Sequence, residues 1–402
     1  MICPPSGVYL ASRGRQPART RERLPTFESP RQPDPAAYPR LFLRYLYMVL
    51  AVAFCGGGCN TVDTIRPPGQ PSDGPGGADY RHATASSAVY GQGADEYWIF
   101  TPSDPTPDEA PVIVFLHGWG GMHPRIYGAW IQHLVRKGNI VVFPRYQELL
   151  RDAPEAMRLH ALRAAQSAWN RLKTDGPVRP VVGQIGWIGH SFGGMLAARL
   201  AATSTSNGLP PPAFVFLVEP GAGQVVGLDE LALIPEGSLV LVVVGEDDDL
   251  VGDSVAMAIL DAFRQVPTTR LELVRMPSDR AVTPPILADH FAPLSIAQGF
   301  PPPLPGGSST SPLTGIGLPG GTLRERVRLR RMERFGPPNV LDYFGFWKIA
   351  DGLIDGAFHG EDLSYAFGDT VQQHFMGIHS DGSPVAPLAV DSAWLGSPTP
   401  KH

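Results

Sequence analysis

The chain has 402 residues, 43% of them hydrophobic and 18% charged, so it is long enough to bury a large core. Its formal net charge of −5 argues against a general nucleic-acid binder, because phosphate contacts need a basic surface. All three cysteines, Cys3, Cys55 and Cys59, precede residue 60, which excludes disulfides, cysteine metal sites and cysteine catalysis from the remainder.

The N-terminal stretch has the composition of a leader rather than of a domain. Its first 44 residues contain eight arginines, no lysine and three acidic residues, and we expect them to be disordered. An apolar run from Tyr45 to Phe54 then follows Arg40 and Arg44, as in a signal peptide. Cys59, preceded by three glycines, resembles the acylated cysteine of bacterial lipoproteins, which implies possible membrane attachment.

The apolar run is shorter than the roughly 20 residues that span a bilayer, so we expect export rather than anchoring. The predicted location is the periplasm, the outside of the cell or a membrane-anchored lipoprotein; an uncleaved anchor and a transit peptide are the alternatives. Residues 1–59 are thus predicted as leader, and the Pro/Gly-rich residues 60–80 as linker. Residues 81–402 form the expected folded domain, with a C-terminal extension from about residue 291.

After the linker, β-rich apolar runs alternate with longer helical segments. Several runs are continuously apolar, as expected for strands buried on both faces of a parallel sheet. The predicted fold is therefore α/β, a doubly wound and mostly parallel sheet. The predicted strands are EYWIFTP, PVIVFLHG, NIVVFPRYQ, VVGQIGWIGHS, AFVFLVEPG, SLVLVVVGEDD and RLELVRMP, and the main helices are APEAMRLHALRAAQSAWNRLKT and GGMLAARLAATS.

The pattern loosens beyond residue 280. Residues 299–321 are predicted to be a long surface loop, and LRERVRLRRMERF, with six arginines, a solvated helix face. NVLDYFGFWKIADGLIDGAF is predicted to be a largely buried helix. The extension is expected to form a lid or a wall over a pocket of the preceding domain.

The stretch GWIGHSFGG, residues 186–194, places Ser191 between a strand and a helix with glycines two positions before and after it. This spacing is typical of a sharp strand-to-helix turn that exposes a nucleophile. In open α/β sheets, ligands bind at the carboxyl ends of the strands, where Ser191 is expected. A serine nucleophile needs a histidine base, an orienting carboxylate and donors for the oxyanion.

GHSFGG together with VIVFLHGWGG resembles the α/β-hydrolase superfamily, in its branch of carboxylesterases, lipases and cutinase-like enzymes, over roughly residues 90 to 295. The resemblance implies an oxyanion hole made by the backbone N–H groups of Trp119 and Phe192. His117 more plausibly shapes this loop than acts as the base. No organic cofactor and no metal is implied, and the sequence contains neither a P-loop nor an H-E-x-x-H motif.

The resemblance also implies a catalytic acid after a late strand and a base beyond the last one. Counting from Gly245 selects Asp248 among three consecutive aspartates, with Asp247 and Asp249 as solvated neighbours; Glu219 is the fallback acid. The first histidine after the last strand is His290, with His359, His374 and His379 as competitors. The order Ser191, Asp248, His290 is the one expected of this fold.

We therefore expect a serine hydrolase that cleaves small-molecule or lipid-like carboxylic esters through an acyl-enzyme on Ser191. Four side chains are expected to line an apolar substrate pocket: Trp119, Met195, Tyr127 and Trp130. An amide, thioester or dienelactone-type hydrolase and an inactive exported binding protein are the alternatives, since a fold alone does not select the bond.

Overall fold

The computed structural model describes residues 64–221, 227–264, 266, 270–300 and 336–391. The leader, with Cys59, and the arginine-rich segment 323–335 lie outside the described residues, so those predictions stay predictions. In the described part of the chain, no helix is both long and apolar enough to cross a membrane.

A nine-stranded sheet organises the domain, in the order β1-β2-β4-β3-β5-β6-β7-β8-β9. Neighbours from β4 to β8 run parallel, while β1, β2 and β9 pair antiparallel with their neighbours. The strands are β1 (Thr84–Tyr90), β2 (Tyr97–Ser103), β3 (Glu109–Leu116), β4 (Ile140–Pro144), β5 (Arg179–His190), β6 (Phe214–Val218), β7 (Leu239–Gly245), β8 (Arg270–Met276) and β9 (Ala389–Val390).

Helices cover both faces of this sheet, which confirms the predicted fold class. One face packs against α2 (Pro154–Thr174), α3 (Phe192–Ala202) and α4 (Ser254–Phe263). The other face packs against α1 (Gly128–Arg136) and a helical segment made of a π-helical stretch, Leu341–Trp347, and α5 (Lys348–Phe358). The continuous apolar runs of β6 and β7 follow from this arrangement, because both of their faces are buried.

The C-terminal extension belongs largely to the body of the domain. Its helical segment buries Phe346, Trp347 and Leu353 against the sheet, and β9 adds an antiparallel edge beside β8. A short helix, α6 (Val371–His374), lies between them. The helical segment of the extension thus covers one face of the sheet together with α1, and the expected lid or pocket wall stays a prediction.

The described part of the predicted linker, residues 64–80, also packs on the domain. The Gly76 N–H donates to the buried Asp351 carboxylate at 2.7 Å, and Lys137 Nζ donates to the Gly74 carbonyl at 2.9 Å. Tyr80 Oη lies 3.2 Å from His133 Nδ1. The described residues of the predicted linker thus contact the domain through backbone and side-chain hydrogen bonds, and their role as a linker stays a prediction.

Candidate active site

Ser191 lies in the turn between β5 and α3, at the carboxyl edge of the sheet. Its φ of 56° and ψ of −125° lie outside the regions that side chains prefer, a strain that typically costs about 1–3 kcal/mol. The Ser191 N–H donates to Val218 O at 2.9 Å, and the Ser191 carbonyl accepts from Gly194 N at 2.8 Å. These bonds hold the strained turn in place.

The two glycines of the turn are required by close backbone contacts. A Cβ at Gly189 would lie 2.2 Å from Gly193 O, and a Cβ at Gly193 would lie 2.3 Å from Leu116 O. Because these neighbours are backbone atoms, neither clash could be relieved by a side-chain rotation. The spacing of glycine, serine and glycine in the sequence thus has a steric cause.

The structure brings Ser191, His290 and Asp248 together. His290 Nε2 lies 2.8 Å from Ser191 Oγ, and His290 Nδ1 lies 2.9 Å from Asp248 Oδ2. All three residues are buried. The other Asp248 oxygen, Oδ1, accepts from the N–H groups of Leu250 and Val251 at 3.0 and 3.1 Å, so the turn after β7 aims Oδ2 at the histidine.

The two aspartates beside Asp248 have other environments. Asp247 pairs with Arg280 at 2.7 Å and accepts from Ser278 Oγ, and both contacts lower the pKa of its carboxyl. Asp249 is exposed. The three consecutive carboxylates therefore diverge, and only Asp248 among them bonds to His290.

Glu219, the fallback acid, lies next to the same histidine but at a longer distance. Its Oε2 is 3.7 Å from His290 Nδ1 and 3.5 Å from His190 Nε2. The side chain is fully buried, and burial, reinforced by the charges of Asp248 and Asp289, raises the pKa of this carboxyl well above its usual range. Burial thus disfavours the charged form of Glu219, whose two carboxyl oxygens have no hydrogen-bond partner, while Asp248 makes the short contact with His290.

The competing histidines lie elsewhere. His374 contacts Asp369 Oδ1 at 2.6 Å, His379 contacts Asp279 Oδ2 at 2.9 Å, and His359 lines a separate cavity with Asp355. His117 is buried between Phe143 and Tyr146, and burial lowers its pKa to about 4. Its two ring nitrogens lie 2.7 Å from the Gly118 carbonyl oxygen and 2.6 Å from the Arg145 carbonyl oxygen, so its contacts are with the backbone of the loops and not with Ser191.

The expected oxyanion donors belong to two well-fixed segments. Phe192 is the first residue of α3, so its N–H has no acceptor within the helix. Trp119 lies between two anchored glycines: the Gly118 N–H donates to Tyr127 Oη at 2.9 Å, and the Gly120 N–H donates to Gln147 Oε1 at 2.7 Å. Tyr146 Oη also donates to His117 O.

Sequence reasoning missed the roles of Tyr146 and Gln147 in this loop. A signal for them exists, because both residues directly follow β4 and therefore lie at the same carboxyl edge of the sheet as Ser191. Polar residues that follow a strand at this edge are candidates for fixing the loops of an active site.

Two of the four expected substrate-binding residues are misassigned. Trp130 is fully buried and packs against Phe115 and Phe346 on the opposite face of the sheet from α3. Tyr127 is buried in the same cluster, with its hydroxyl engaged by Gly118 and His190. Both are core residues because α1 must cover this face of the sheet.

The other two lie on the nucleophile's side. Met195 packs in the core beneath α3 and is buried, so it is not positioned to contact a ligand in this conformation. Trp119 is partly buried, and its ring lies edge-on to that of Phe192 with centroids 5.2 Å apart. Of the four, Trp119 is the side chain that retains accessible surface.

A cavity of about 890 Å³ opens beside His290. Its lining mixes apolar side chains with carboxylates. Leu250, Ile286, Leu287, Phe291 and Leu294 supply apolar surface, and Asp247, Asp249 and Asp289 supply the charge. The cavity can thus take an apolar group next to the proposed base.

His190, Glu219 and His290 offer ligand atoms within 4.8 Å of one another, a spacing that could hold a metal ion. However, His190 Nε2 lies 2.9 Å from the His290 carbonyl oxygen. A carbonyl oxygen can only accept a hydrogen bond, so this nitrogen carries a proton and has no lone pair for a metal. His290 Nδ1 bonds to Asp248. These nitrogens are already committed to hydrogen bonds, so the cluster is better described as part of a hydrogen-bond network.

Comparison with known proteins finds one family model and several solved structures that are similar to parts of the chain. The family model described as Chlorophyllase matches residues 83–231, which is less than half of the chain and includes Trp119 and Ser191 but not Asp248 or His290. Among solved structures, the chain is similar to carboxyl esterase 2 from the mycorrhizal fungus Tuber melanosporum. The two are 20% identical, the match covers 49% of this chain and 79% of that chain, and the TM-score is 0.39. No curated protein matches the sequence.

Proposed function

We propose that the chain is a serine hydrolase of α/β-hydrolase type and that it cleaves carboxylic esters through an acyl-enzyme on Ser191. Two contacts of His290 support this most directly. Its Nε2 lies 2.8 Å from Ser191 Oγ, and its Nδ1 lies 2.9 Å from Asp248 Oδ2. This is the arrangement that activates a serine hydroxyl.

In the proposed reaction, Ser191 Oγ attacks the ester carbonyl carbon while its proton moves to His290 Nε2. Asp248 stabilises the imidazolium that forms, and the N–H groups of Trp119 and Phe192 stabilise the oxyanion. The carbon–oxygen bond to the alcohol breaks, and the alcohol leaves with the proton from Nε2. Water, deprotonated by His290, then attacks the acyl-enzyme, and the carboxylic acid is released as Ser191 regains its proton.

The cavity beside His290 is lined by the proposed base but not by Ser191, Trp119 or Phe192, and an uncharged or apolar portion of the substrate would suit its lining. Its carboxylates would repel an anionic group, whereas its leucines, isoleucine and phenylalanine favour hydrocarbon. Because the matching family model bears the name Chlorophyllase, chlorophyll is an ester to include among the substrates tested.

The test is hydrolysis of p-nitrophenyl esters, from acetyl to long acyl chains, by the full chain. Ser191→Ala and His290→Ala are each expected to lower kcat by about 10³-fold or more, as is usual for such residues. Ser206→Ala, which changes an exposed serine after α3, and His374→Ala are matched controls expected to keep wild-type rates. Inertness of the wild-type protein towards every ester would overturn the ester assignment, and amide and thioester substrates would be tested next.

A further inference from the structure

Two buried residues outside the proposed catalytic set connect the two halves of the site. Tyr127 Oη lies 2.9 Å from the Gly118 N–H and 2.8 Å from His190 Nδ1. His190 Nε2 in turn lies 2.9 Å from the carbonyl oxygen of His290. Gly118 precedes the proposed oxyanion donor Trp119, so a continuous chain of bonds runs from the oxyanion loop to the proposed base.

The donors and acceptors of this chain have one consistent direction. The Gly118 N–H donates to Tyr127 Oη, so the tyrosine hydroxyl is left to donate to His190 Nδ1. With Nδ1 as an acceptor, the His190 proton lies on Nε2 and donates to the His290 carbonyl. Burial raises the pKa of Tyr127, which keeps this hydroxyl protonated.

Glu219 offers a second acceptor near the same His190 Nε2–H, at a longer distance than the His290 carbonyl oxygen. Its Oε2 lies 3.5 Å from His190 Nε2, and an ionised carboxylate there would draw the Nε2 proton away from the His290 carbonyl. The fully buried position of Glu219, beside Asp248, disfavours its charge. The Nε2–H of His190 is therefore directed to the backbone of the proposed base.

We propose that Tyr127 and His190 are positioning residues that fix the oxyanion loop relative to His290. This proposal rests on the proposed function. Neither residue touches the reacting atoms; each acts on a backbone group of a segment that does. A chain of buried, fully paired hydrogen bonds suits this task, because a misplacement of about 1 Å at a reacting group costs on the order of 10²-fold in rate.

Tyr127→Phe is the most selective test, because it removes only the hydroxyl and keeps the ring against Phe115, whose centroid is 5.0 Å away. We expect kcat for p-nitrophenyl esters to fall about 10- to 100-fold with little change in KM, because the defect concerns the oxyanion and not the bound ester. Affinity for an aryl boronic acid, which forms a tetrahedral adduct on serine, should fall by a similar factor.

Tyr80→Phe is the matched control. It also removes a tyrosine hydroxyl from a histidine, His133, but on the α1 side of the domain. It is expected to lower Tm by a few degrees and to leave kcat unchanged. If Tyr127→Phe keeps the wild-type kcat and boronate affinity, the positioning role is wrong even where the ester assignment holds.

A double-mutant cycle measured by Tm tests the chain of hydrogen bonds without relying on catalysis. Tyr127→Phe and His190→Leu should each lower Tm, and the double variant should lower it by less than the sum, since each change removes a partner of the other. Additive shifts would show that the two residues are not coupled and would overturn the proposal. This outcome differs from inertness towards esters, which would contradict the proposed function alone.

Discussion

Two buried carboxyl groups approach the same nitrogen of His290, and their distances assign them different roles. Asp248 Oδ2 lies 2.9 Å away and Glu219 Oε2 3.7 Å away. Only the shorter distance is a hydrogen bond. Asp248 is therefore the proposed orienting acid, whereas Glu219 is a buried neighbour that does not bond to His290.

Exchange of each carboxyl for its amide separates the two roles. Asp248→Asn is expected to lower kcat about 10³- to 10⁴-fold, because an asparagine can present an N–H to Nδ1 and favour the wrong tautomer. Glu219→Gln is expected to retain kcat within about 10-fold. Asp175→Asn, which changes an exposed aspartate at the end of α2, controls for loss of charge. A larger loss from Glu219→Gln than from Asp248→Asn would reverse the assignment.

The raised pKa of Glu219 also predicts a pH-dependent stability. The folded state holds this proton more tightly than the unfolded chain, where the pKa is near 4.5. The stabilisation by Glu219 is therefore fully present below about pH 4.5 and is lost as the pH rises through the folded pKa. The Tm of Glu219→Gln relative to wild type should rise between about pH 4.5 and pH 8. A constant Tm difference would show that Glu219 is ionised normally.

At the scale of elements, the C-terminal extension supports the loop that carries the proposed base. His379 Nε2 lies 2.9 Å from Asp279 Oδ2, and both side chains are at most 2% exposed. Asp279 lies between β8 and His290, and its backbone pairs with that of Ile286 in the same loop. A residue near the end of the described chain thus helps to fix the long connection before His290.

Removal of His379 should therefore destabilise the fold and weaken catalysis. His379→Ala leaves Asp279 buried without this partner, a change that typically costs about 3–5 kcal/mol. His374→Ala removes a half-exposed pair with Asp369 and a hydrogen bond to the Leu388 carbonyl oxygen, each worth about 1 kcal/mol or less. Chemical denaturation of the two variants measures the contrast. Equal losses of stability in both variants would contradict the proposal that the His379–Asp279 pair stabilises the loop before His290.

At the scale of the whole molecule, the sequence predicts the sheet from β2 to β8 because continuous apolar runs mark strands buried on both faces. It does not predict β1, whose residues TASSAVY form no such run and lie partly exposed, or the two-residue β9. Edge strands of this kind depend on pairing with a neighbour, and that information is not local to their own residues.

The sequence predicts those parts of the candidate site that depend on a local pattern of residues. The turn at Ser191 follows from local glycine spacing, which a steric clash explains. The pocket assignment of Trp130 was wrong although the spacing of Trp130 with Leu134, and of Ile131 with Val135, is that of a buried helix face. The bond chain through Tyr127 and His190 joins residues 63 and 100 positions apart, which no local pattern reveals.

The central claim is that Ser191 is an activated nucleophile, and the most direct measurement is covalent labelling with a fluorophosphonate followed by peptide mass analysis. The account predicts one phosphonylated residue, Ser191, with labelling abolished in Ser191→Ala, strongly slowed in His290→Ala and unchanged in Ser206→Ala. An unlabelled wild-type protein, or a label on another serine, would contradict it.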